Sequence, residues 1–72
     1  MNLYFLAANG DKRLVRENAE EKTALKDIEH YVNNINPTFK IYYTRMWYSE
    51  DHGGMMYDVG SHTEFFLLAE DN

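Results

Sequence analysis

Eight of the eleven aromatic residues of this chain fall between Thr38 and Ala69, in short apolar runs broken by glycine-bearing turns. Phe39 to Tyr48 predicts a long strand, and Glu50-Asp51-His52-Gly53-Gly54 predicts its turn. Met55 to Gly60 then reads as the return strand and Glu64 to Ala69 as a third. Taking Glu50 to Gly54 as the first turn and Ser61-His62 as the second places Trp47 beside Tyr57 and Tyr57 beside Phe66. Met46 would then lie beside Asp58, and Asp58 beside Phe65. Side chains alternate across a strand, so the two rows occupy opposite faces. Tyr43, Arg45, Trp47, Met55, Tyr57, Val59, Glu64, Phe66 and Leu68 are expected on one face. Tyr42, Thr44, Met46, Tyr48, Met56, Asp58, Phe65 and Leu67 are expected on the other. Both faces are apolar, and an exposed aromatic face of this size marks an interaction surface. This register also predicts an Arg45–Glu64 cross-strand ion pair.

Ahead of the meander, Leu3 to Ala8 reads as a first strand, and Asn9-Gly10 as a two-residue hairpin turn, whose central positions need positive φ. Lys12 to Arg16 would be the return strand. Asn18 has the chemistry of a helix N-cap, with Glu21 three residues on to complete a capping box. The helix is expected from about Ala19 to Asn34. Its apolar residues Ala24, Leu25, Ile28, Tyr31, Val32 and Ile35 recur at spacings of three and four, and Pro37 prevents its continuation. The expected fold is therefore α+β: a small, mostly antiparallel sheet, ββαβββ (or βαβββ without the first hairpin), with one helix on one face.

The 72 residues are expected to make a single domain, 1–72. A chain this short buries only about 60 % of the surface its unfolded form exposes and leans on some additional support. The absence of cysteine excludes disulfides and thiolate zinc sites. A His/Asp/Glu metal site, a homo-oligomer or a dense aromatic core remain, and the aromatic content favours the last.

Charge is unevenly placed. Residues 1–45 carry seven Lys or Arg against six acids, and residues 46–72 carry six acids and no Lys or Arg, giving −5 in all. An acidic surface is repelled by phosphates and attracted to a basic protein groove. Glu50, Asp51, Asp58 and Glu64 are the expected steering charges, with Trp47, Tyr48 and Tyr57 as anchors. An aromatic sheet can also stack single-stranded bases, but the second and third meander strands hold no cation, so direct nucleic-acid binding is the lesser expectation. The apolar N-terminal run is too short to span a membrane and has no basic flank of a signal peptide. The expectation is a cytoplasmic protein with no membrane contact.

Catalysis has little support. Ser49 and Ser61 lack a Gly-x-Ser-x-Gly elbow, and Gly53-Gly54 is a turn rather than a phosphate loop. Asp58 and Glu64 form the one conceivable carboxylate pair, in a fold with little room for a closed pocket, and an enzyme is not expected. Imidazole and carboxylate can ligate zinc, which makes His52, His62, Asp51 and Glu64 the candidate ligands. The predicted register puts His52 and His62 at opposite ends of the meander, so they would serve separate sites or sites completed by a second copy. His62-x-Glu64 lacks the Cys-x-x-Cys that a deaminase zinc site requires.

The run Met56-Tyr57-Asp58-Val59-Gly60-Ser61-His62-Thr63-Glu64-Phe65-Phe66, preceded by Tyr43-Thr44-Arg45-Met46-Trp47, resembles a segment of small proteins from phages and prophages of Gram-positive bacteria. The resemblance covers roughly the C-terminal 30 residues. In size, acidity and lack of catalytic motifs the chain is also similar to type II-A anti-CRISPR proteins. That resemblance implies a Cas9 inhibitor acting in the cytoplasm of the bacterial host. Its partner would be Cas9 or the Cas9–guide RNA complex, and it would block target-DNA loading at a basic surface. Some members of that class bind zinc, which adds interest to His52 and His62.

Overall fold

The structure is a computed structural model that describes residues 1–35, 37–38, 41, 44–60 and 64–70. Its elements are β1 (Asn2–Leu6), β2 (Lys12–Arg16), α1 (Glu21–Ile35), β3 (Arg45–Ser49), β4 (Gly54–Asp58) and β5 (Phe65–Ala69). The five strands form one sheet in the order β2-β1-β5-β4-β3, and every neighbouring pair is antiparallel. A hairpin and a meander therefore meet where β5 slots beside β1. The helix lies between the two edge strands in sequence and packs on one face. This is the expected ββαβββ order.

The first hairpin closes differently from the two-residue turn the Asn9-Gly10 pair suggests. Gly10 donates its N–H to the Ala7 carbonyl at 3.0 Å, and Ala7 donates to the Asp11 carbonyl at 2.9 Å. The loop is Ala8-Asn9-Gly10, and of the three only Gly10 has positive φ, at 94°. The Asn9 side chain accepts from the Asp11 N–H at 3.0 Å, so the asparagine serves as a side-chain turn former and leaves the left-handed residue to glycine.

Asn18 is not the helix cap. It takes φ 54°, and its N–H donates to Asn2 Oδ1 at 3.1 Å. Asn tolerates the left-handed region better than other side chains, and here it turns the chain out of β2. Ala19 follows, buried, with its N–H on the Met1 carbonyl at 2.6 Å. Glu20 then stands at the boundary, its carbonyl accepting from the Thr23 N–H at 3.1 Å and the Thr23 hydroxyl at 3.3 Å.

One core forms between α1 and the sheet. Leu3, Ala24, Ile28, Tyr57, Val59, Phe66 and Leu68 are buried there. Phe5, Tyr31 and Phe66 form a ring cluster with centroid separations of 5.2 to 5.8 Å. Each large side chain buried in this way contributes about 1.5–3 kcal/mol. A second, smaller cluster lies on the opposite sheet face, where Met56, Leu67 and Ala69 are buried beneath Tyr4, Leu6 and Phe65. The helix stripe is only partly used: Leu25 and Ile35 remain exposed.

The β4–β5 register is as expected, with Tyr57 opposite Phe66. The β3–β4 register is shifted by one residue: Met46 faces Tyr57, Trp47 faces Met56 and Arg45 faces Asp58. Gly53 and Gly54 are the cause. Gly53 holds φ 73° and donates to the Ser49 carbonyl at 2.9 Å, closing a loop of Glu50-Asp51-His52-Gly53. Gly54 is already in the strand, packed so closely on β5 that a Cβ there would overlap the Leu68 carbonyl oxygen. Every β3 side chain consequently sits on the face opposite to the one expected. Arg45 and Trp47 join Met56, Phe65 and Leu67, while Met46 and Tyr48 join Met55 and Tyr57. The Arg45–Glu64 pair is replaced by Arg45 Nη2 to Asp58 Oδ2 at 3.2 Å. Of the long strand expected from Phe39, Phe39, Lys40, Tyr42 and Tyr43 lie outside the described residues.

Candidate interaction surface

β3 is an edge strand and stays largely exposed. Met46, Trp47 and Tyr48 are 51 %, 39 % and 63 % exposed. Alternation turns Trp47 toward the helix-free face and Met46 and Tyr48 toward the helix side. The strand leads directly into the turn that carries Glu50 and Asp51, both exposed and both without an ion pair among the described residues. At the opposite edge, β2 supplies Lys12, Arg13 and Arg16.

The expected site residues separate into three groups. Trp47 and Tyr48 are exposed on opposite faces of the β3 edge, and Glu50 and Asp51 are exposed in the turn that follows. Tyr57 and Asp58 do not join them. Tyr57 is 1 % exposed and part of the main core, and Asp58 is 5 % exposed. The Asp58 carboxylate accepts from Arg45 and from the Gly60 N–H at 3.0 Å, so it closes a turn and partners a cation and is not free to steer an approaching partner. The shifted register is the reason, since it places Arg45 opposite Asp58. Glu64 is half-buried, at the end of β5 far from the acidic turn.

The candidate zinc ligands are also dispersed. His52 sits in the turn, its Nδ1 3.0 Å from Ser49 Oγ, and its N–H donates to the same oxygen at 3.3 Å. Asp51 is its neighbour, but Glu64 lies at the other end of the sheet. Among the described residues no three His, Asp or Glu side chains converge on one point, and His62 lies outside them.

Two depressions flank the helix. The larger, of about 600 Å³, lies by its C-terminal half and is lined by Phe5, Arg13, Tyr31, Ile35, Glu64 and Phe66 among others. The smaller, of about 370 Å³, lies at the helix N-terminus and is lined by Glu21, Lys22, Leu25, Met46 and Tyr57. The Tyr57 hydroxyl oxygen is buried and has no hydrogen-bond partner among the described residues. Burial raises the Tyr57 pKa above its ordinary value, and the Glu21 carboxylate raises it further. The helical period placed Leu25 on the apolar stripe, but nothing in the sequence said that Leu25 would stand clear of the sheet and oppose Met46.

The helix-free face has its own pattern. Leu14, Tyr4, Leu67, Met56 and Trp47 lie opposite one another across all five strands. Lys12 stands over the Tyr4 ring at 4.2 Å, and the Arg45 guanidinium lies 5.9 Å from the Trp47 ring, which meets Phe65 edge-on at 6.1 Å. Cations lie on both flanks of the aromatics, an arrangement the meander sequence alone concealed because Lys12 comes from the first hairpin.

No described helix is long and apolar enough to cross a membrane. Compared with known proteins, the chain matches no family model, no curated protein and no solved structure.

Proposed function

We propose that this protein acts by binding a partner and inhibiting it, with β3 and the β3–β4 turn as the contact surface. The observation that carries this reading is the edge strand itself. Three consecutive large apolar residues, Met46, Trp47 and Tyr48, are exposed ahead of two exposed carboxylates, Glu50 and Asp51, that have no ion pair among the described residues. Aromatic anchors bounded by charge are the usual composition of an interface centre, with the charges governing association rate more than affinity. The sign of those charges favours a basic protein groove. Together with the resemblance of the Met56–Phe66 run to small phage proteins, this leads us to name a type II-A Cas9 as the partner and target-DNA loading as the step blocked.

The test is target-DNA binding by guide-loaded Cas9 with and without excess protein, in matched zinc and chelator buffers. DNA binding should be lost. Trp47→Ala should weaken inhibition by about 2 kcal/mol, the scale of an interface hot spot, and Asp51→Lys should slow association and alter its salt dependence. Sensitivity to chelator would make zinc, with His52 among its ligands, part of the inhibitory form. Unaltered DNA binding and cleavage would remove the Cas9 reading.

A second reading rests on the helix-free face, where Trp47 also lies. Tyr4, Phe65 and Trp47, with Lys12 and Arg45 beside them, have the composition of a platform for single-stranded bases. Binding of short oligonucleotides at low salt, lost in Tyr4→Ala and Trp47→Ala, would support it. No binding at low salt, where electrostatic attraction is strongest, excludes it.

A further inference from the structure

The two edges of the sheet are built differently. β2 is closed to further pairing. It carries Lys12, Arg13 and Arg16, and its register against β1 slips between Leu3 and Tyr4. Arg16 also reaches 3.4 Å to Asp27 of the helix. Charge and a bulge are the devices by which a native edge refuses another strand. β3 has neither device. Its five residues pair with β4 in unbroken register, and Met46-Trp47-Tyr48-Ser49 holds no charge and no proline. β4 is its one neighbour among the described strands. The outer backbone groups of β3 are therefore a template for one more antiparallel strand.

We propose that the occupant is β3 of a second copy of this chain, paired antiparallel about a two-fold axis at Trp47. Continuity of the pleat across such an axis pairs residues of like parity, and centring on Trp47 is the register that uses all five residues. Met46 then lies beside Tyr48 of the second copy, and Arg45 lies beside its Ser49, next to its Glu50-Asp51 turn. Charge selects this mate. Arg45 holds Asp58 through Nη2 at 3.2 Å, and its side chain remains 69 % exposed. Glu50 and Asp51 have no ion pair among the described residues. The two-fold brings each Arg45 to the other copy's acidic turn, so both ends of the pair close on opposite charge. Pairing β3 on β2 instead would leave an edge free at each end and grow into fibres, and the bulge and cations of β2 oppose it. Five residues a side fall short of the roughly 20–30 of a stable interface, so the dimer is weak and reversible. Self-pairing covers the strand assigned above to the inhibited partner, so a free edge is presented only on dissociation. The pairing rests on the construction of the edge and not on that reading.

Sedimentation equilibrium of the whole chain from about 10 µM to about 1 mM spans the affinities of small interfaces. The mass should rise from 8.5 kDa towards twice that value and no further. The β3 amide hydrogens that point away from β4 should gain protection from exchange over the same range. Tyr48→Lys changes an exposed residue, so the fold is kept, and should weaken the dimer about tenfold, the loss of one aromatic contact at an interface. Asp51→Lys should weaken it several-fold by setting like charge against Arg45. Leu14→Lys, an exposed change on β2 and on the helix-free face, should leave it unaltered. A monomer throughout, a dimer unweakened in Tyr48→Lys or weakened in Leu14→Lys, or a mass beyond two chains overturns the proposal. Because no Cas9 is present, failure of the Cas9 reading leaves this result standing, and the reverse also holds.

Discussion

Gly53 and Gly54 are adjacent, yet they answer to different physics, and replacing each by alanine tests the register directly. At Gly53 a Cβ would meet nothing within 4 Å, so the cost is conformational, from holding φ 73°. An L-residue in the left-handed region costs about 1–2 kcal/mol. The stiffer unfolded chain offsets only part of that, because alanine at an incompatible φ destabilises by more than its entropy gain. About 1.5 kcal/mol is the expectation. At Gly54 a Cβ would overlap the Leu68 carbonyl oxygen and approach the Ala69 Cβ to 2.9 Å. Both are parts of a central strand that cannot swing aside as the tip of a flexible side chain could. Overpacking of this kind costs about 1–3 kcal/mol or more, and here it also separates β4 from β5. We expect about 3 kcal/mol or above, out of a total of roughly 4–10 kcal/mol for a chain of this size. Urea unfolding followed by Trp47 fluorescence gives both values, and thermal melts should fall by about 4–8 °C per kcal/mol. Gly53→Asn, which tolerates the left-handed region, should recover much of the Gly53→Ala loss, whereas Gly54→Asn should be worse than Gly54→Ala. If Gly54→Ala proves no more costly than Gly53→Ala, the close approach of β4 to β5 is wrong and so is the register of β3.

Two further outcomes follow from buried polar groups. Asp58→Ala removes the acceptor of both Arg45 and the Gly60 N–H and should cost about 2 kcal/mol in urea unfolding. Asp58→Asn keeps the Gly60 bond and should cost clearly less. Tyr57 has its pKa raised in the folded state by burial and by Glu21, so the folded chain holds this proton more tightly than the unfolded chain. The associated stability is complete below the ordinary tyrosine value near 10 and is lost as pH rises beyond it. Urea midpoints at pH 8 and pH 11 should diverge less for Tyr57→Phe than for the parent, and the phenylalanine variant should be at least as stable at pH 8 because it removes an orphaned hydroxyl.

Most of the element order was legible because hydrophobic period and turn chemistry agree. The helix shows its three-and-four spacing, and the Lys12 to Arg16 return strand ends where expected. What sequence reasoning missed has one common origin. Asn9-Gly10, Asn18 and Gly53-Gly54 all carry turn-forming chemistry, but composition does not say which residue takes the positive φ. At Asn9 the side chain bonds the backbone and glycine takes the turn. At Asn18 no glycine is near and asparagine takes it. At Gly53-Gly54 either could have, and the choice was made by β5, whose backbone leaves room only for a glycine at position 54. That contact joins residues far apart in sequence, so no local window contains it.

The same one-residue choice determines what the surface can do. Had β3 taken the expected register, Trp47 would stand beside Tyr57 on the helix side and Arg45 would be turned away from Asp58. In the observed register Arg45 neutralises the buried Asp58 carboxylate, and the acidity expected across the meander is withdrawn from the sheet and left in the Glu50-Asp51 turn. Met46 is brought opposite Tyr57, where with Leu25 it forms the wall of the cleft at the helix N-terminus. Trp47 is brought instead to the helix-free face, near Phe65. One strand thus contributes to two chemically different surfaces, and a change that moves β3 by one residue exchanges them. Gly54→Ala should accordingly alter the exposure of Trp47, read as a shift of its fluorescence maximum in the folded state, as well as lowering stability. Tyr57→Phe, which leaves β3 where it is, should leave the Trp47 fluorescence maximum unchanged.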